Sequence, residues 1–330
     1  MRPRSALALG LLALVIFGCR STNQPKPPSW SKAKILADKE DHPSKIVADN
    51  EAIYFVTGGT IASQHEGTNN IKRISLKDGV ASILVKGSEL IPEASLAIDD
   101  KFLYWSDGGN IYCVSKNGGA SEKIILSAPQ PDQIVMDDRN IYWLVWTGEG
   151  SPPQPIMYAA KQGGEAKQLT PPQPPTTGIA LDGDFVFFMT GDGLKKVPKQ
   201  GGPIAEVYRN QSKTPMLGLQ QDAENFYFCQ MNGSGHSALM KLSKHGGEPT
   251  QLASSINHTM DFIVADGSVY YFGDVPGMGS FGPVGLRRVT TSGGDSIELD
   301  QGNAGWVKYL AANAKQIYFT DISRVYGLPK

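Results

Sequence analysis

Seven positions in this chain carry a carboxylate or its amide at a regular interval: Asp49, Asp99, Asp137, Asp182, Asp222, Asp266 and Asn313. Five histidines, His42, His65, His236, His245 and His258, are scattered among them. Carboxylates and imidazoles are the groups from which general acid–base sites and metal centres are built. The spacing argues against that use. No two histidines stand at the short separation that ligands on one element require, and the acids fall 38 to 50 residues apart. Each Asp follows a short apolar run and is followed, four or five residues on, by a pair of aromatics. A carboxylate so placed can accept hydrogen bonds from amides two residues further along and fix a tight turn. Asn313 serves that purpose as well as Asp. The series is therefore expected to be a repeated turn, with no metal or cofactor. Phosphate-binding glycine loops, nucleophile elbows and metalloprotease motifs do not occur in the sequence.

The elements around each Asp define a repeat. Ile-Val-Ala-Asp49 precedes Ile53-Tyr54-Phe55, Leu-Ala-Ile-Asp99 precedes Leu103-Tyr104-Trp105, and Ile-Val-Met-Asp137 precedes Ile141-Tyr142-Trp143. Four further copies follow, and the mean spacing is 44 residues. The second half of most copies ends on a Lys-x-Gly-Gly turn, at Lys116, Lys161, Lys199 and Lys244, with Thr291 in the sixth copy and Lys77-Asp-Gly79 in the first. Glycine supplies the positive φ of such hairpins. A period of about 40–50 residues with this pattern belongs to four-stranded propeller blades. Each copy reads as strand A, an Asp turn, strand B, a connection, strand C, a Gly-Gly turn and strand D. Adjacent strand residues point to opposite faces. Unbroken runs such as Ile-Tyr-Trp thus predict sheets buried on both sides, as in a seven-bladed, all-β propeller.

The chain ends predict how the ring closes. Tyr104 to Lys116 and Tyr318 to Lys330 are both twelve residues, so the seventh copy stops where its Gly-Gly turn would begin. Its missing D strand is expected from Lys34-Ile-Leu-Ala37, which lies upstream of the first repeat. Six blades plus an irregular element is the alternative. Cys113 falls in strand C of blade 2 and Cys229 at the end of strand B of blade 5. Three blade steps separate them, too far for a disulfide, so two buried, inert thiols are expected.

The N terminus has its own chemistry. Arg2 and Arg4 precede a thirteen-residue apolar run, Ala6 to Gly18. That is short for a membrane span, which needs about 20 residues, and has the form of a secretory leader. It ends in Ile16-Phe17-Gly18-Cys19, which resembles the bacterial lipobox, although Phe17 is larger than usual there. Residues 1–19 are thus expected to be a lipoprotein signal with Cys19 as the acylated residue, residues 20–32 a Pro-rich tether, and residues 33–330 the propeller. Loss of Arg2 and Arg4 moves the formal net charge from −1 to −3. No basic stripe suggests nucleic acid, and membrane contact is expected through the lipid alone.

Loop lengths point to one face. In a propeller the B–C and D–A connections share one face, and the A–B and C–D turns share the other. The stretch from the strand-B aromatic to the C–D turn is twelve residues in blades 2, 4 and 7, but 23, 19, 17 and 20 in blades 1, 3, 5 and 6. Binding chemistry tends to sit in variable loops on a rigid scaffold. The candidate face carries His65, Trp146, Glu149, His236, His258, Asp274 and Trp306. No catalytic residue is identified.

The Leu-Ala-Ile-Asp-Asp-Lys-Phe-Leu-Tyr-Trp-Ser-Asp107 stretch resembles the YWTD repeat of lipoprotein-receptor propellers, and Ile317-Tyr-Phe-Thr-Asp321 is similar. That family has six blades where this chain has seven repeats, and only these two copies keep the final Asp. The repeats are also similar to those of bacterial cell-envelope propeller lipoproteins. The resemblance implies a propeller with a binding role: a monomeric, lipid-anchored module of the bacterial envelope, facing the periplasm or on the outer membrane, with a protein or glycan partner. The competing expectation is a propeller enzyme, lyase-like or quinoprotein-like, with its site at the mouth of the central channel.

Overall fold

Strand-forming residues dominate the chain because every blade must be apolar on both sides. A computed structural model describes residues 30–58, 69–87, 95–107, 109–145, 152–231, 237–256, 261–274, 284–302 and 309–330. They form 28 strands and, among the described residues, no helix. The strands make seven four-stranded antiparallel blades, with a single bridge, Ile256 to Gly273, linking blades 5 and 6. The seven A strands, from Ser44–Ala48 in blade 1 to Leu310–Ala312 in blade 7, touch their neighbours around a complete inner ring. Seven blades is the expected number.

The B strands show why the aromatic runs are unbroken. Tyr54 packs with Leu103 and Trp105 of blade 2, while Ile53 and Phe55 pack with Tyr318 and Val325 of blade 7. All three are at most 1% exposed. Each interface between adjacent blades holds one such cluster, so the core is seven wedges in place of one centre. Wide aromatic bodies fill the space where radial sheets diverge.

The ring closes as expected. Lys34–Ala37 adds to the C strand of blade 7, with Lys34 opposite Gly327 and Ala37 opposite Val325. A sheet of local hairpins thus gains one long-range strand that removes a free edge. The segment just before it, assigned above to the tether, is built into the disc. The Trp30 ring lies 4.6 Å from Phe319 and 6.1 Å from Phe272, between blades 6 and 7. The Asp300 carboxylate, on strand D of blade 6, accepts the amides of Ser31, Lys32 and Ala33 at 3.1, 2.9 and 2.8 Å.

The Asp turns follow the expected pattern in five blades and depart from it in two. Oδ1 of Asp49, Asp99, Asp137, Asp222 and Asn313 accepts the amides two and three residues on. In blades 4 and 6 the turn is tighter and glycine makes it: Gly183 has φ +50°, and Asp266-Gly267 has +48° and +67°. With one positive φ in blade 4 and two in blade 6, each two-residue turn reverses the backbone without a side-chain acceptor, so Asp182 and Asp266 are spared for other contacts.

Cys113 and Cys229 are free and buried. Burial pushes the Cys229 thiol up to about 12. Thiolate is the reactive form. A thiol reagent at pH 8 is therefore expected to leave both cysteines unmodified in the folded chain and to label both in denaturant. Fast native labelling of Cys229 would contradict the packing of blades 5 and 6.

Candidate functional site

Two faces of the disc could carry function, and their chemistry differs. On the A–B/C–D face, five of the six turn aspartates reach the next blade. Lys116 binds Asp49 at 2.8 Å, Lys161 binds Asp99 at 2.7 Å, Lys199 binds Asp137 at 2.9 Å and Lys244 binds Asp182 at 3.2 Å. Lys330 closes a fifth pair with Asp266. The Asp99 oxygen that binds Lys161 also takes a phenol from strand B, from Tyr104 at 2.9 Å, and Asp222, at a seam without a lysine, takes Tyr227 at 2.6 Å. The Lys161 ammonium also stands 5.5 Å over the Tyr104 ring. The repeated Lys and Asp thus form a girdle of inter-blade ion pairs, a role that the sequence reading of the Asp as a turn residue alone had missed. The signal was present, since both residues recur at fixed places in successive copies.

Burial alone would raise the Asp99 carboxyl, but Lys161, the amides of Phe102 and Lys101, and the Tyr104 hydroxyl outweigh it and hold the group at about 2. The carboxyl of an unfolded chain titrates near 3.9. The pair therefore contributes its full stabilisation above that pH and loses it as pH falls through the folded value. With partial exposure discounted, Asp99 is worth about 1–2 kcal/mol. Wild type should lose thermal stability between about pH 4 and 2, and Asp99→Asn should show a lower midpoint at pH 7 with a shallower acid limb. A parallel pH profile for the two proteins would refute this.

Two seams lack the pair. Between blades 5 and 6, Thr291 stands in the lysine position. Between blades 7 and 1 the acid is Asn313, and the register corrects the first copy. The amide of Leu76 bonds the Glu51 carbonyl as that of Lys116 bonds the Lys101 carbonyl, so Leu76, and not Lys77, is the equivalent residue. The blade 1 turn is one residue longer, with Gly79 bonding back to Ser75 where Gly118 bonds to Ser115. Both charges are thus replaced together at the seam where the ring closes.

On the B–C/D–A face, the strand ends flanking every long connection lie together by topology. Asp274 is described: it ends strand B of blade 6, half-buried and opposite Val284. His65, Trp146, Glu149, His236, His258 and Trp306 lie outside the described residues, as does Cys19. Of the other histidines, His42 bonds its neighbour Asp41, and His245 sits on the opposite face beside Glu224 at 3.3 Å. Among the described residues no three His, Cys, Asp or Glu side chains converge as metal ligands would.

The inner ring has polar residues with structural work to do. Gln220 donates to the Phe262 carbonyl at 2.8 Å and accepts the Val264 amide at 3.1 Å, and Gln221 reaches back to the Leu181 carbonyl at 2.5 Å. The two glutamines of the blade 5 A strand therefore form a clamp between blades 4, 5 and 6. Ser95 accepts the Ile134 amide in the same manner. Just before the A strand of blade 6, Asp261 accepts the Leu310 amide of blade 7 at 2.6 Å. Burial pushes its carboxyl up to about 7, against the pull of the Leu310 amide, Lys45 and the Phe262 amide. Lys45 itself stands 5.2 Å over the Tyr309 ring. Sequence reasoning had not singled out Asp261, which precedes an A strand and carries no motif.

The fold and these two faces define a seven-bladed β-propeller with a girdle of ion pairs on its turn face. No family model matches the chain, and no curated protein matches it. Solved structures do. An oligogalacturonate lyase in complex with manganese shares 13% identity at a TM-score of 0.66, covering 92% of this chain and 97% of that one. The extracellular domain of the hybrid two-component system BT4673 of B. thetaiotaomicron shares 12% at 0.64, over 90% of this chain and 39% of that one. PorZ, a surface component of the type-IX secretion system of Porphyromonas gingivalis, shares 13% at 0.61, over 92% and 38%. At such identities the likeness is one of fold.

Proposed function

We propose that this chain is a non-catalytic, lipid-anchored binding propeller of the bacterial cell envelope that recognises a protein or glycan partner through its B–C/D–A face. The observation that carries the reading is the one-sided distribution of loop length. Four of seven B–C connections are lengthened by five to ten residues over the minimal form, while the turns of the other face stay short. A rigid disc held by apolar wedges and ion pairs presents those loops without needing them for its own stability. The leader-like N terminus and Cys19 supply the anchor.

Capture of envelope proteins and envelope glycans on the immobilised full chain tests the face. Shortening residues 59–68 and 146–151 to the length of the blade 2 connection should abolish capture while leaving the melting temperature within a few degrees. Undiminished capture would remove this face from the reading. Metabolic labelling with a fatty acid should mark wild type and not Cys19→Ser.

One observation favours the enzyme alternative: burial raises the Asp261 carboxyl, at the inner-strand end of blade 6, to about 7, in the range of a general acid or base. Turnover abolished by Asp261→Asn in a fold of unchanged stability would decide for it.

A further inference from the structure

The seam that closes the ring differs from the others in a way that leaves hydrogen-bond donors unspent. In blades 2 and 5 the strand-B phenol donates to the turn carboxylate. In blade 7 that position is Asn313, and its orientation is fixed. Its Oδ1 accepts the amides of Lys315 and Gln316, both at 2.9 Å. The nitrogen must therefore face the other way, and it donates to the Asp49 carbonyl at 3.1 Å and to the Tyr318 hydroxyl oxygen at 2.9 Å. Tyr318 thus receives where Tyr104 and Tyr227 give. It is 1% exposed, and the side-chain hydrogen bond it makes among the described residues is the one it accepts from Asn313.

Tyr318 lines a cavity of about 460 Å3 between blades 7 and 1, on the A–B/C–D face. Asn313 and Leu76, the neutral replacements for the ion pair, are also in its wall, with Arg73, Lys77 and Lys315. Arg73 bonds the Tyr54 hydroxyl, yet its Nε is buried with no partner among the described residues. Lys77 and Lys315 are exposed and make no ion pair among the described residues. Glu51 is the acid in the same wall, and Asp78 follows Lys77 in the turn. Three cations against one lining carboxylate leave the cavity electropositive, in a chain of formal charge −1. Leaving a buried donor unmatched costs about 1–3 kcal/mol, and charge-assisted bonds to an anion are the stronger kind.

We infer that the seam between blades 7 and 1 is a binding site for a small oxyanion, a phosphate or carboxylate group, which takes up the Tyr318 hydroxyl and the Arg73, Lys77 and Lys315 charges. The ligand supplies the negative charge that an aspartate supplies at the five paired seams. The site lies on the face opposite the proposed recognition loops and stands whether or not those loops bind.

Calorimetric titration of the full chain with inorganic phosphate and, separately, with glucuronate tests the inference, at constant ionic strength set with chloride. Saturable binding of at least one is expected, and the tighter of the two identifies the group. Asn313→Asp restores the internal carboxylate that other blades tolerate, so it should fold and lose binding altogether. Lys77→Ala with Lys315→Ala touches only exposed side chains and should weaken binding at least tenfold. Tyr318→Phe should weaken it as well. Absence of saturable binding of either anion by wild type would overturn the site. So would equal affinity in the lysine variant, or in a folded Asn313→Asp.

Discussion

Trp30→Ala should lower the stability of the chain by about 3–4 kcal/mol, the range for deleting a large aromatic from a packed core. The ring is 9% exposed and touches both blades that flank it. Its loss also frees the strand that completes blade 7, so Lys34–Ala37 should exchange its amide hydrogens faster than the other D strands. The packing partner makes the prediction specific. A Cβ on Gly302 would stand 2.0 Å from the Trp30 ring, at an atom of the indole core and not at a flexible tip. Gly302→Ala alone should therefore cost about 2 kcal/mol or more, since overpacking forces the wedge apart. In the Trp30→Ala background the same change should cost almost nothing. A thermal or urea denaturation cycle over the four proteins measures that coupling. Additive losses would mean that Trp30 is not held against Gly302.

Much of this architecture could be read from sequence because a propeller repeats its instructions. The Asp turns, the Gly-Gly turns and the adjacent aromatics recur in nearly every copy, and the missing last strand follows from counting Tyr318 to Lys330. What a repeat does not encode was missed. Trp30 precedes the first copy and looks like part of the tether, since nothing in a Pro-rich neighbourhood signals that one indole will fill the wedge between blades 6 and 7. The ion-pair partners lie 62 to 67 residues apart along most of the ring, one blade on, so the pattern becomes visible only when copies are compared in pairs. Lys77 was matched to the wrong column because the blade 1 turn has one more residue, and a one-residue insertion puts Leu76 in the lysine position and Lys77 one place further along the turn. The candidate face was legible as a face, through loop length. Its side chains were not, because a residue in a long connection is constrained neither by strand period nor by burial. Asp261 shows the converse: its carboxyl is shifted by burial, and the Leu310 amide and Lys45 that oppose the shift are distant in sequence.

Trp143→Ala should produce a loss of comparable size by a different route, and a chemical reporter sits beside it. Trp143 is fully buried in the wedge between blades 2 and 3, in one cluster with Tyr104, Ile111 and Cys113, and its indole nitrogen reaches the Pro129 carbonyl at 3.4 Å. Truncation removes the transfer free energy of the ring and leaves a cavity that two stiff sheets cannot collapse to fill, about 4 kcal/mol together. The blades are joined by short connections and by the Lys161–Asp99 pair on the turn face, so the disc should stay assembled at room temperature while this wedge loosens. Cys113 should then become reactive at pH 8 while Cys229, three interfaces away, stays protected. Trp143→Phe keeps most of the apolar volume and should lose about 1–2 kcal/mol, with Cys113 still slow. Stability lost in parallel with uniform exposure of both thiols would show that the ring unfolds as one unit. Selective exposure of Cys113 would show that each wedge is a separate source of stability, as seven distinct clusters imply. The same locality is why the seam between blades 7 and 1 can carry a different chemistry without disturbing the other six.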